Sequence, residues 1–208
     1  MLARRFLVAS ALAAALALGG CAKPAADGAM KPQADDMSLG DPAAKVQVVE
    51  YASASCPHCA HFALDVFPAF KAKYVDSGRV RYTLKEYVTE PEVLSAGGFL
   101  LARCAGKDRY FKVLDAVFRD QNAMIQTGQY RDGLLQIAKD PGGLSEAQFD
   151  ACMTDKAAAQ QLSMRVERHM KVDRIQVTPT FVINGARVEG AMTMPELDAA
   201  IAKAEGKA

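Results

Sequence analysis

The chain contains no tryptophan, three histidines and five cysteines among 208 residues. Its 25 basic and 24 acidic side chains leave a formal net charge of +1. A charge this near zero supplies no field for a polyanion, so no nucleic-acid partner is expected. No internal repeat is visible. Long apolar runs are missing except at the N-terminus. Half of the residues are hydrophobic, enough for one domain with a real core.

The one apolar run is not part of a fold. Met1 to Arg5 is basic, and Phe6 to Leu18 is apolar apart from one Ser. This is the layout of a secretory signal, too short for a comfortable membrane span. It ends Leu18-Gly19-Gly20-Cys21, which resembles a bacterial lipobox. Cleavage there would leave Cys21 as a lipid-modified N-terminus anchoring the protein to a membrane. The alternative is a soluble periplasmic protein cut near Ala25-Ala26. Ala22 and Lys23 follow the Cys, and the lack of Asp at the second position matches an outer-membrane address. Residues 22–40 are rich in Ala, Pro, Asp, Lys and Gly and read as a flexible tether, spanning about 25 Å as a coil of roughly 5–6 Å × √n. The expected organisation is a signal over 1–20, a tether over 21–39 and a fold starting at 40.

Cys56-Pro57-His58-Cys59 carries the most chemistry. Two cysteines one helical turn apart close a small ring and cannot clamp distant parts of a chain. Such a pair stabilises one thiolate and makes the disulfide easy to pass on. Cys56 is the expected nucleophile, because a helix start at Pro57 would aim unpaired N–H groups at it. His58 would favour the thiolate as a cation or donor, and Cys59 would close the ring from a more buried position. With Cys21 set aside, four cysteines allow three pairings. Keeping Cys56 with Cys59 leaves Cys104 for Cys152 as a structural bridge, unless those two are separate buried thiols. No metal site is expected. His58 and His61 do not converge with both sulfurs on one tetrahedron, and His169 stands alone.

The elements follow from periodicity. Val46 to Tyr51 reads as a buried strand and Val80 to Tyr87 as a second. Between them a helix runs from Pro57 to about Tyr74, with a kink expected at Pro68. Helices are expected near 92–105, 107–120, 129–139, 145–154 and 157–171, jointed at Gly106, Gly128, Pro141-Gly142-Gly143 and Thr154-Asp155. Ser145 with Gln148 forms a capping-box pattern. Thr180–Ile183 and 186–189 flank Asn184-Gly185, a strong hairpin signal. A last helix follows Thr193.

This order resembles the DsbA-like branch of the thioredoxin superfamily. Val48-Val49-Glu50-Tyr51 leading into Cys56-Pro57-His58-Cys59 carries the likeness, together with Thr178-Pro179-Thr180-Phe181-Val182-Ile183-Asn184-Gly185. The resemblance covers roughly residues 40 to 205. It implies an α/β thioredoxin fold over 40–90 and 172–208, with a helical insert over 91–171. It implies that Glu50 is a buried acid beneath the disulfide, relaying a proton to the deeper thiol. It also implies that Pro179 is a cis-proline facing the disulfide, with Thr178 offering its backbone to an extended substrate. Thr before this proline departs from the simplest oxidase pattern, and isomerase or reductase relatives share it.

The expected activity is dithiol–disulfide exchange that introduces disulfides into exported proteins. No cofactor beyond the Cys56–Cys59 pair is needed. The implied partners are reduced exported proteins and a DsbB-like, quinone-linked membrane oxidant, and the protein is expected to be a monomer. The rivals are an isomerase or reductase of the same fold, and a non-enzymatic metal-binding or chaperone lipoprotein.

Overall fold

The computed structural model describes residues 31–207. Cys21, the signal stretch and the first part of the tether lie outside the described residues. Five strands form one mixed sheet in the order β1-β3-β2-β4-β5. They are β1 (Met37–Leu39), β2 (Val46–Ala52), β3 (Val80–Glu86), β4 (Thr180–Ile183) and β5 (Ala186–Glu189). β2 and β3 are parallel, and the other pairings are antiparallel. A parallel pair needs a long crossover. The helical stretch over 57–75 provides it. Between β3 and β4 run α3 (Glu92–Cys104), α4 (Lys107–Thr127), α5 (Tyr130–Lys139), α6 (Glu146–Thr154) and α7 (Lys156–Lys171). The last helix, Met194–Ala204, follows β5. The chain therefore has a thioredoxin fold with a helical insertion.

Side-chain alternation divides the core. Val46, Val48 and Ala52 join Phe62, Phe70, Phe181 and Leu197 in the main cluster. Val49 and Tyr51 point to the opposite face, where they meet Tyr87, Ile175 and Val182. Successive β-strand side chains point to opposite faces, so Glu50 falls on the main-core side, where an apolar residue would be the default.

Three expectations shift. The fold begins before residue 40. Met37–Leu39 pairs with β3, Met37 opposite Leu84 and Leu39 opposite Tyr82, and Ser38 bonds Thr83 at 2.8 Å. Three residues are too few to show a two-residue period, so backbone pairing rather than pattern makes this strand. The proline inside the first helix changes the helical register. α1 (Pro57–His61) and α2 (Phe67–Phe70) alternate with π-helical turns over Phe62–Val66 and Lys71–Val75. The Phe67 N–H reaches back to the Phe62 carbonyl, and the wider turn accommodates the N–H that Pro68 lacks. Finally, α4 runs a full turn or more past residue 120 before Gly128, at φ 69°, ends it.

Candidate active site

Cys56 is the N-cap of α1, with extended backbone (φ −83°, ψ 120°), and Pro57 fills the first helical turn. The proline has no N–H to waste at a position where none would be paired. The N–H groups of His58 and Cys59 consequently face the sulfur of Cys56, a residue 8 % exposed. The Cys56 thiol is lowered from 9.0 to about 5. The largest cause is a hydrogen bond from the Cys59 thiol. Burial opposes it, and the Thr178 side chain and the two backbone N–H groups add to it. The Thr178 carbonyl oxygen also lies 3.3 Å from the sulfur. It accepts only from the protonated thiol, so it works against ionisation and is outweighed by the donors.

Cys59 is fully buried and is pushed the other way, well above the ordinary thiol value. Burial is the main cause, followed by its bond to Cys56 and the charges of Glu50 and Cys56. Both cysteines are free thiols. Glu50, 2 % exposed, sits under the pair on β2, and the Tyr82 hydroxyl donates to it at 2.5 Å. Burial raises the Glu50 carboxyl to about 8; the Tyr82 bond lowers it and the Cys56 charge raises it further. The site therefore holds one acidic thiol, one reluctant thiol and a buried carboxylic acid.

The Thr178–Pro179 bond is cis, and Pro179 is buried beside the sulfurs' loop. The ring of His58 is exposed and makes no hydrogen bond to the Cys56 sulfur. Its backbone N–H, rather than its imidazole, supports the thiolate. His61 pairs with Asp65 at 2.7 Å on the surface. His169 is buried on the far face of the sheet with Nδ1 2.8 Å from the Glu86 carbonyl. Among the described residues no group of three His, Cys, Asp or Glu could hold a metal. Cys104 at the end of α3 is bonded to Cys152 in α6, with Cα atoms 6.2 Å apart, so this pair lies within the helical insert.

Sequence reasoning missed the residues that hold the active-site loop. Gln121 of α4, 3 % exposed, donates from Nε2 to the carbonyls of Ala54 at 2.8 Å and Cys56 at 3.2 Å. Ser53, Ser55, Thr89 and Ser95 form a hydroxyl cluster behind the loop. Ser53 Oγ lies 2.7 Å from both Thr89 Oγ1 and Ser95 Oγ, and Ser55 donates to the Thr89 carbonyl at 3.0 Å. Gly98 lets α3 close over the loop, since a Cβ there would stand 3.0 Å from Ala54. Tyr82 belongs to this missed set too. The available signal was a Tyr among alternating strand residues, which reads as ordinary core.

With the geometry in place, comparison with known proteins is direct. A family model described as Thioredoxin matches residues 33–203, and the chain belongs to that family. Within it the chain is a DsbA-like member. A Rickettsia bellii protein provisionally named a protein-disulfide oxidoreductase is 32 % identical over 171 residues, which is 82 % of this chain. The chain spans 64 % of that relative's length. Disulfide bond formation protein D of Bacillus subtilis is 23 % identical over 172 residues, covering 79 % of this chain and 75 % of that protein. The crystal structure of Wolbachia pipientis alpha-DsbA1 is similar with a TM-score of 0.80 and 26 % identity, covering 88 % of this chain and 96 % of that one.

Proposed function

We propose that this protein is an oxidant of exported proteins, facing the periplasm and tethered through a lipid on Cys21, with the outer membrane favoured. A substrate thiolate attacks the Cys56 sulfur of the oxidised pair. The Cys56–Cys59 bond breaks, and Cys59 leaves and takes a proton. A second substrate thiolate attacks the substrate sulfur of the mixed disulfide, and Cys56 departs as a thiolate. The substrate gains a disulfide and the enzyme becomes a dithiol. A DsbB-like, quinone-linked membrane partner restores the enzyme disulfide. The substrates are reduced exported proteins, and a monomer suffices because one chain holds the whole site. Among the described residues no helix is long and apolar enough to cross a membrane.

The observation that carries this reading is the opposed ionisation of Cys56 and Cys59. A low-pKa sulfur is the better leaving group, so the mixed disulfide resolves toward the substrate disulfide. Thr178 before Pro179 supports the second reading, an isomerase or reductase. The reduction potential decides between them. A value near the roughly −120 mV of DsbA supports the oxidant, and one near the roughly −270 mV of thioredoxin supports the reductase. Failure to speed the refolding of reduced ribonuclease with an added oxidant would reject oxidase activity. Replacing Cys56 with Ser separates both from a non-enzymatic binding protein, which would keep its ligand.

A further inference from the structure

The far face of the sheet is covered over only part of its length. Toward the C-terminal ends of β2 and β3, Tyr51 packs with Tyr87 and Ile175. Toward the N-terminal ends there is instead a cavity of about 610 Å³, floored by Gln47, Val49, Arg81 and Val182. Gln47 stands opposite Arg81 in the parallel pair and Val49 opposite Val182 in the antiparallel one, so these side chains share one face. Lys31, Pro32 and Pro42 also line the cavity. The hairpin turn beside it is fixed to β2. Asn184 Oδ1 accepts from the Gln47 N–H at 2.8 Å, and Nδ2 donates to the Lys45 carbonyl at 3.3 Å. The cavity is therefore formed in advance of any occupant, and its size is that of a small-molecule site, about 300–1,000 Å³. Cys56 follows the other end of β2, so the cavity is remote from the sulfurs.

Two cations, Lys31 and Arg81, line this cavity and no acid does. Lys85, on the same face of β3, is the contrast. It is fully enclosed and lies 3.5 Å from Asp36 and 3.7 Å from Asp173. Among the described residues the Arg81 guanidinium has no hydrogen-bond or ion-pair partner, and its Nε is sealed from water. A buried donor left unmade is costly, and only the Nη edge remains open to an acceptor. The planar fork of an arginine matches a carboxylate best. Val49, Val182 and the two prolines offer no polar side chain and suit an apolar body. We propose that this cavity binds a small organic anion, a molecule whose apolar ring or chain ends in a carboxylate. The carboxylate lies on Arg81 with Lys31 beside it, and the apolar part lies over Val49 and Val182. Such a ligand joins three strands to the root of the tether. It stabilises the folded chain to an extent set by its concentration relative to its Kd, and it leaves disulfide exchange untouched.

Naphthalene-2-carboxylate serves as the probe, and its neutral carboxamide as a control of the same shape. Each is titrated into the chain from residue 21 onward carrying Cys21→Ser, which blocks lipidation and keeps every described residue. The valine methyl signals are followed by carbon-13 NMR. The carboxylate is expected to shift the Val49 and Val182 methyls saturably. The carboxamide, and the carboxylate with Arg81→Gln, should each bind at least roughly tenfold more weakly, the loss of a charge-assisted hydrogen bond. Arg81→Lys, which keeps the charge without the fork, should fall between. Cys56→Ser should bind the probe as the parent does. Absence of saturable shifts at millimolar probe, or shifts confined to other valines, overturns the inference. So does equal affinity for carboxylate and carboxamide, or for the parent and Arg81→Gln. Loss of binding in Cys56→Ser would place the probe at the active site and overturn it too. If Arg81→Gln fails to fold, the comparison of carboxylate with carboxamide on the parent chain decides alone.

Discussion

The ionisation of Cys56 has a measurable consequence for the redox couple. Its thiol is lowered from 9.0 to about 5 in the dithiol form, whereas the disulfide form has no thiol to ionise. At pH 7 the reduced state is stabilised by the separation between pH 7 and that value, about two pH units at about 1.36 kcal/mol each. The result is about 2.7 kcal/mol. For a two-electron couple about 1.4 kcal/mol corresponds to about 30 mV, so the thiolate raises the potential by about 60 mV over a pair with ordinary thiols. The sign follows from linkage. The folded value is depressed, so the stabilisation is complete above pH 9, about half present at pH 7, and lost as the pH falls through 5. Equilibration with glutathione buffers from pH 4 to pH 9 measures the potential, and thiolate absorbance measures the ionisation independently. Below about pH 5 the potential should fall by about 59 mV per pH unit as two protons accompany two electrons; above it, by about 30 mV. A single slope through pH 5 with an absorbance midpoint near 9 would refute the account of the helix start.

Three further outcomes follow from single contacts. Gln121→Ala leaves the Ala54 and Cys56 carbonyls without their buried donor, and urea denaturation should show a loss of roughly 1–3 kcal/mol. Breaking the Cys104–Cys152 bridge with Ala at both positions removes a link across 48 residues, at a cost of about 4 kcal/mol in the chain-entropy model, read from the denaturation midpoint of the oxidised protein. Glu50→Gln should stabilise the reduced protein at pH 7. The carboxyl is raised from 4.5 to about 8, so its cost to stability grows as the pH rises from 4.5 and reaches about 3 kcal/mol at pH 7. The same variant should be no more stable than wild type at pH 4, and its disulfide exchange should slow.

What was legible in the sequence was the chemistry carried by neighbours along the chain. The Cys56–Cys59 pair, the proline that opens its helix and the Asn184-Gly185 hairpin each depend on a few consecutive residues, and the helices of the insert announce themselves by spacing. The supports of the site are different in kind. Gln121 sits 65 residues from the carbonyl of Cys56 that it holds, in a polar stretch that looks like a solvated helix end. Tyr82 reaches Glu50 only because β2 and β3 lie side by side, and Ser53, Ser55, Thr89 and Ser95 meet only once α3 closes on the loop. Long-range polar contacts leave no period in a sequence. β1 was hidden for a related reason: its stability comes from pairing with β3, and Met37–Leu39 carries little pattern of its own.

Glu50, Tyr82 and the two sulfurs make sense together as a way of keeping one buried negative charge rather than two. In the dithiol form Cys56 carries that charge, and its field helps to hold Glu50 protonated with the carboxyl near 8. Two anions this close in a low-dielectric site would repel strongly. In the disulfide form the sulfur charge is gone. Burial still disfavours the carboxylate, but the Tyr82 hydroxyl at 2.5 Å favours it, so Glu50 should ionise at lower pH than in the dithiol form. At a pH between the two Glu50 midpoints, reduction then moves the charge from Glu50 to Cys56 and takes up two protons, one on Glu50 and one on Cys59, and oxidation releases both; outside that interval, above pH 5, it takes up one. The side-chain carboxyl of Glu50, labelled with carbon-13, can be titrated by NMR in both redox states. Its midpoint is expected to lie near 8 in the dithiol form and measurably lower in the disulfide form, with Tyr82→Phe raising both. Equal midpoints in the two states would mean that the Cys56 thiolate exerts no field on Glu50, and the coupling would have to be abandoned.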